Sequence, residues 1–303
     1  MLHEVGTALD QHRPLRVHVH GLITVDDQLP VLTSTQEIGN ERQSTRGPSA
    51  RPRKGAARRQ GTAGRSWAAR SSSWIGGDLR AAYEDQVIRL AEAYPTLQTF
   101  ADKDGMWLLA KSSVISGLQR KAIFLLALPY RAGLLPRAWG FWTDAAEPAR
   151  WIGPRHTNFW DGSICAFSPN DGVWIEGGDL STLFDLYTVW ALRHLHLEIC
   201  GRWPGKQYGI IGADPRAEAY YRQRECQDDE LCCCGSQTLR YAECCKATDL
   251  RGDFVEGASL FLKHTGGFEN RKPPDAVTKF IQDHSAVPIM ADVHLELRCS
   301  CLR

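Results

Sequence analysis

The sequence has no surplus of either charge. Its 36 Lys and Arg stand against 35 Asp and Glu, a formal net charge of +1. Bulk attraction to nucleic acid or to an anionic membrane surface is therefore not written into the composition. Long apolar runs are missing as well. The longest, "AIFLLALPY" at 122–130, is far short of the roughly 20 residues that cross a bilayer. "MLHEVGTALD" carries early acids and lacks an apolar signal core. The expectation is a soluble cytoplasmic protein without a membrane role. One local absence matters too. Between Arg42 and Arg70 there are nine Lys or Arg and no acid, threaded with Gly, Ser, Ala and Pro. Such a run reads as solvated chain, and binding to nucleic acid through it is the minority reading. Residues 1–73 lack sustained periodicity and are expected to form a largely disordered basic leader, with one short strand within "LRVHVHGLITV".

What is present begins at Asp78. "DLRAAYEDQVIRLAEAYP" sets Leu79, Tyr83, Val87, Leu90, Ala91 and Tyr94 at helical spacing, with Asp78 as N-cap and Pro95 as stop. Strand-like runs follow in "LQTFAD", "MWLLAKSSVI" and "KAIFLLALPY", and a fourth in "RAWGFW". "KDG" between the first two is a hairpin signal. After a turn-rich stretch, "GGDLSTLFDLYTVWALRHLHLEI" returns to helix, with Leu180, Leu183, Phe184, Tyr187, Trp190 and His194 along one face. The predicted class is α+β: helix, antiparallel meander, loop, helix, over about 140 residues.

The loop carries a candidate nucleophile. In "RHTNFWDGSICAFSPNDGVW" (155–174), Cys165 sits among Gly, Asp, Ser, Asn and Pro, the composition of a surface loop rather than a core. Trp174 reads as core, His194 and His196 as helix-face residues without a ligand role, and Cys200 as a small buried hydrophobe.

This order resembles the catalytic core of the E2 ubiquitin-conjugating enzyme family. His156-Thr157-Asn158 stands where that family has His-Pro-Asn, "DGSIC" where its cysteine segment lies, and Trp174 at its following tryptophan. "ALPYRAGLLP" is similar to its stretch after the third strand, and "GRWPG" to prokaryotic E2-like proteins of ubiquitin-like conjugation operons. Thr157 departs from the pattern, where proline is usual. The resemblance covers about residues 74–212 and implies a UBC-like fold in that region. It further implies that Cys165 takes a ubiquitin-like modifier protein from an E1-like activating enzyme as a thioester and passes it to an amine of a protein acceptor. The helix at 78–94 would face the E1-like enzyme. The chemistry suits cysteine, since a thiolate is both a strong nucleophile and a tolerable leaving group. Asn158 could donate to the tetrahedral oxyanion or serve only to build the turn, and His156 would stabilise the turn. Two rivals remain: a catalytically inactive E2-like scaffold or zinc-binding adaptor, and a hydrolase pairing Cys165 with His156.

Ten cysteines need accounting for, and five of them crowd into "CCCGSQTLRYAECC" (232–245), with Cys226 just before. Such spacing in a chain without a secretion signal suggests metal binding before disulfides. The stretch resembles the SEC-C zinc motif over roughly 15 residues. The resemblance implies a small zinc module at 226–246 with Cys232, Cys234, Cys244 and Cys245 as ligands of a structural Zn2+. Because the gap after Cys234 is one residue longer than usual, Cys233 or Cys226 could substitute. The remaining chain, 247–303, is expected to be an extension with a short helix at "VTKFIQDH"; its Cys299 and Cys301 lack nearby partners for a second site.

Overall fold

The apolar runs within 98–142 become an antiparallel meander covered on both faces. The computed structural model of the chain describes residues 2–13, 15–17, 23–25, 78–112, 120–143, 148–167, 172–210, 212–236, 238–290 and 293. The basic run Arg42–Arg70, most of the expected "SGLQR" separator, and Cys299 and Cys301 lie outside the described residues. The elements run in chain order as α1 (Leu2–Asp10), β1 (Leu15–Val17), β2 (Ile23–Val25), α2 (Arg80–Ala93) and β3 (Gln98–Ala101). Next come β4 (Gly105–Lys111), β5 (Lys121–Pro129), β6 (Arg137–Thr143), β7 (Arg150–Trp151) and α3 (Leu180–Cys200). Four further helices follow: α4 (Pro215–Glu225), α5 (Lys246–Asp249), α6 (Phe254–Thr265) and α7 (Asp275–Asp283), with short 3-10 turns at Tyr241–Glu243 and Phe268–Asn270. Strands β3 to β7 pair with their sequence neighbours, all antiparallel. The class is α+β, as expected, with β7 as a fifth strand that two residues were too few to reveal.

The sheet explains why 122–130 is apolar without interruption. A strand with one wet face alternates, whereas one buried on both faces need not. Met106, Leu108, Phe124, Leu126 and Leu128 face α2 and α3. Their neighbours Trp107, Leu125, Ala127, Trp139 and Phe141 face Val277, Phe280 and Ile281 of α7, together with Met290 and Val293. Residues of the C-terminal extension thus complete the core of the preceding sheet, and packing crosses the boundaries expected at 212 and 247.

Helix α2 begins one residue later than expected. Leu79 occupies the N-cap, while the Asp78 carboxylate accepts from Arg80 N at 2.9 Å. Tyr83 and Leu90 are buried, but Ala91 faces solvent, and the third buried position is Gln86. Gln86 joins the two long helices: its Nε2 donates to Gly177 O (3.0 Å) and its Oε1 accepts from Leu180 N (2.9 Å). All six residues expected on the buried face of α3 are buried. Asp179 caps the helix by accepting from Ser181 N at 3.1 Å. Gly140 on β6 lets α3 approach, since a Cβ there would lie 2.9 Å from Trp190 Cζ3. Cys200, in contrast, is exposed rather than buried, because it ends α3 just before Gly201 turns the chain in a left-handed cap. Among the described residues no helix is long and apolar enough to cross a membrane.

The leader also departs from expectation at its start. Residues 2–10 are helical, with Val5 and Leu9 packed on Leu192 of α3. Asp10 pairs with Arg202 at 2.9 Å and accepts from Gly205 N at 2.8 Å. A nine-residue helix is marginal alone, so its apolar stripe acquires meaning only against α3. Removing residues 1–13 should therefore lower the melting temperature by several degrees. Loss of two buried aliphatic side chains is worth about 1.5–3 kcal/mol each, at about 2–4 °C per kcal/mol for a domain of this order. A truncated chain that melts with the full-length protein would show that α1 adds nothing.

Candidate functional site

The segment expected to be a surface loop is buried over most of its length. Thr157, Asn158, Phe159, Asp161, Ser163 and Ile164 are all inaccessible, and the polar groups among them are satisfied internally, as burial requires. The loop doubles back on itself. Asn158 N donates to Ser163 O (2.8 Å), Thr157 bridges Ile164, and Cys165 N donates to His156 O (3.1 Å). Ile164 N donates to Ala138 O of β6 (2.7 Å), anchoring the fold-back to the sheet. Gly162 takes φ +61° at the tip, and a Cβ there would collide with the backbone of Lys272. Trp160 breaks this burial with an exposed ring, and from Cys165 onward the chain is again partly accessible.

Each expected site residue can be placed. Asn158 donates from Nδ2 to Ser163 Oγ at 2.9 Å, and Ser163 Oγ donates to Asp161 Oδ1 at 2.7 Å. These bonds lie within the turn itself. The His156 carbonyl accepts from both Cys165 N and Trp190 Nε1 (2.9 Å). Its ring stacks on Trp203 at 4.0 Å, with Nε2 3.3 Å from Gln207 Oε1. Burial first, and then the Arg155 and Arg271 charges, hold this imidazole well below its ordinary pKa. The ring is thereby held toward its neutral form. His194 Nε2 donates to Arg155 O at 2.7 Å and His196 Nδ1 to Arg202 O at 3.0 Å. Trp174 is buried, with Nε1 donating to Asp179 O at 3.0 Å.

Three arginines clamp the loop. Arg137 of β6 reaches Asp161 at 3.6 Å, both side chains buried. Arg271 Nε donates to Thr157 O at 3.1 Å and its guanidinium lies over the Phe159 ring. Arg155 runs the other way, into the cysteine module. Its Nη1 donates to Glu230 Oε1 (2.8 Å) and its Nη2 to Glu230 Oε2 and to Gln207 Oε1 (2.6 Å). Glu230 also accepts from Trp203 N (2.5 Å), Gln207 Nε2 (3.0 Å) and Gln227 N (3.1 Å). Sequence reasoning missed this network. Its members are spread over positions 137–271 without a local pattern, and the one available signal was an Arg adjacent to the loop.

The cysteine module is a second constellation. Cys232, Cys234, Cys244 and Cys245 place their sulfurs within 4.8 Å of one another. Two of those separations, Cys234–Cys244 at 3.6 Å and Cys244–Cys245 at 3.7 Å, match the edge of a tetrahedron. With Zn–S near 2.3 Å that edge is about 3.8 Å. Four sulfurs at this spacing fit a closed tetrahedral metal site. The alternative ligands are otherwise engaged, since Cys226 and Cys233 form a disulfide, a pairing not expected from the sequence. Burial raises the Cys244 thiol to about 11 and pushes Cys245 up as well. At Cys234 burial is outweighed by the Ser236 amide and neighbouring thiols, which draw its pKa down. Ions binding such thiols displace their protons.

Purified protein should carry about one zinc per chain, and Cys234→Ser should lose it. Elemental analysis finding no metal in reductively purified protein would sink the assignment. A separate expectation concerns acid. Burial pushes His194 down to about 3 from 6.5, so the unfolded chain binds a proton there that the folded chain refuses. The resulting stability is intact above pH 6.5 and is lost progressively as pH falls toward 3, by up to about 1.4 kcal/mol per unit. Urea denaturation of His194→Gln should show a shallower loss between pH 7 and 5 than the parent protein; an identical slope would refute it.

Comparison with protein-family models, curated proteins and solved structures finds no match to this chain.

Proposed function

We propose that the chain is an E2-like carrier in the cytoplasm, with a UBC-like core, that holds a ubiquitin-like protein as a thioester on Cys165 and releases it to an amine acceptor. The observation that carries this reading is the order of parts: α2, an antiparallel meander, a tightly folded loop ending at a half-exposed thiol, then the long helix α3. A carrier thiol must be held in place yet remain reachable by a bulky donor, and Cys165 stands where the buried loop meets solvent. Zinc at the four cysteines would be structural, because four thiolates leave no open position for catalysis. Helix α2 would meet the E1-like enzyme, and its exposed Ile88 gives that contact an apolar anchor.

The rival scaffold reading has one observation behind it. The Asn158 side chain is buried, with one N–H donating to Ser163 Oγ, so oxyanion stabilisation would need the loop to open around it. The hydrolase reading is weaker, since the His156 ring is engaged by Trp203 and Gln207. One experiment separates the three. Incubated with ATP, an E1-like enzyme and its ubiquitin-like modifier, the full chain should form an adduct that dithiothreitol cleaves. Cys165→Ala should abolish that adduct, because alanine offers no nucleophile. No adduct would favour the scaffold, and cleavage of a modifier fusion without ATP would favour the hydrolase. An undiminished adduct on Cys165→Ala would mean that another cysteine carries the acyl group.

A further inference from the structure

The metal-binding cysteines and the candidate thiol are not independent. Glu230 lies on a short hairpin with the first cysteine of the cluster. Leu231 bridges Arg240, Tyr241 N donates to Glu230 O (2.8 Å), and Cys232 N donates to Leu239 O (3.0 Å). Whatever fixes Cys232 therefore fixes a carboxylate two residues away. That carboxylate is wholly buried and takes both Nη atoms of Arg155, the residue preceding His156. The His156 carbonyl in turn accepts from Cys165 N. Gln207 closes the circuit by donating to Glu230 Oε2 and Leu231 O while accepting from Arg155. Apolar packing runs in parallel, because Phe159 shares a cluster with Cys232, Cys233, Tyr221 and Phe261.

We propose that the cysteine module is the positioning element for Cys165: closing Cys232, Cys234, Cys244 and Cys245 around one metal ion sets Glu230, and Glu230 holds the thiol loop through Arg155. Glu230, Gln207 and Arg155 are then positioning residues for this thiol, whatever reaction it performs, and the inference stands apart from the identity of any modifier. The physical basis is the cost of the alternative. With the hairpin loosened, Arg155 would stay buried without its carboxylate, and a buried charge without a partner drives local opening.

The test follows two observables in the full-length protein. Alkylation by iodoacetamide is timed at Cys165 against Cys200, whose exposed position at the end of α3 makes it an internal reference. Hydrogen exchange is followed in peptides spanning 153–165 and in β5 (121–129). Stripping the metal with a chelator, or substituting Glu230→Gln, should speed Cys165 alkylation about tenfold or more relative to Cys200. Exchange protection should fall in 153–165 and persist in β5. Arg155→Lys keeps the charge but loses the fork, and should give a smaller change of the same sign. An unchanged Cys165 rate in chelated protein and in Glu230→Gln would overturn the proposal. So would loss of protection in β5 together with the loop, which would make the module a support of the whole fold rather than of this loop. Protein purified without metal would refute the metal reading alone, and the Glu230→Gln arm would still decide the coupling.

Discussion

The ion pair between Arg155 and Glu230 is the constraint around which the loop, the chain after α3 and the cysteine module are arranged. Neither side chain has access to water to speak of, so the desolvation of both charges has to be offset within the protein. Five N–H groups converge on the one carboxylate, from Arg155, Trp203, Gln207 and Gln227. That demand brings together three stretches far apart in sequence: the loop at 155, the chain leaving α3 at 203–207, and the hairpin at 227–230. Removing one partner of such a pair typically costs about 3–5 kcal/mol, more than most single contacts in the core.

Around that hub the remaining buried charges repeat the solution. Arg137 meets Asp161, Arg271 meets Glu225 at 3.1 Å, and Arg222 meets Asp249 through two hydrogen bonds at 2.9 and 2.7 Å. The first pair joins the meander to the loop, and the other two tie α4 to Arg271, after α6, and to α5. The aromatic residues fill what lies between: Phe159, Tyr221, Phe261 and Phe268 form one contiguous ring cluster beneath the module. Polar pairs fix the register of the parts, and aromatic area supplies the burial.

The sequence made the periodic features legible and hid the composite ones. Helices α2, α3 and α7 and strands β3 to β6 could be read because local spacing and the Gly, Pro and Asp boundaries agree with the tertiary outcome. The cysteine cluster could be read because sulfurs that could share one metal ion must be close in space, and here they are also close in sequence. Helix α1 was hidden by its shortness, and its stripe of Val5 and Leu9 makes sense only beside Leu192. The burial of 155–164 was hidden for the opposite reason. Gly, Asp, Ser and Asn usually mark solvent-facing turns, yet Asp161, Ser163 and Asn158 here satisfy one another, and Arg137, indoors. Nothing in composition distinguishes a turn wetted by water from one solvated by its own side chains. The Arg155–Glu230 pair was invisible because 75 residues separate its members.

The two-faced sheet carries a consequence for synthesis. Its strands leave the ribosome well before the residues that cover their second face, because Val277, Phe280, Ile281, Met290 and Val293 come near the end of the chain. Until they arrive, Trp107, Leu125, Trp139 and Phe141 have no shelter on that side. At about 5–20 residues per second, the interval from Thr143 to Val293 leaves a broad aromatic surface uncovered for many seconds. A nascent chain in that condition is a natural client for chaperones that bind exposed apolar strands, and a polypeptide cut short before 277 would stay one.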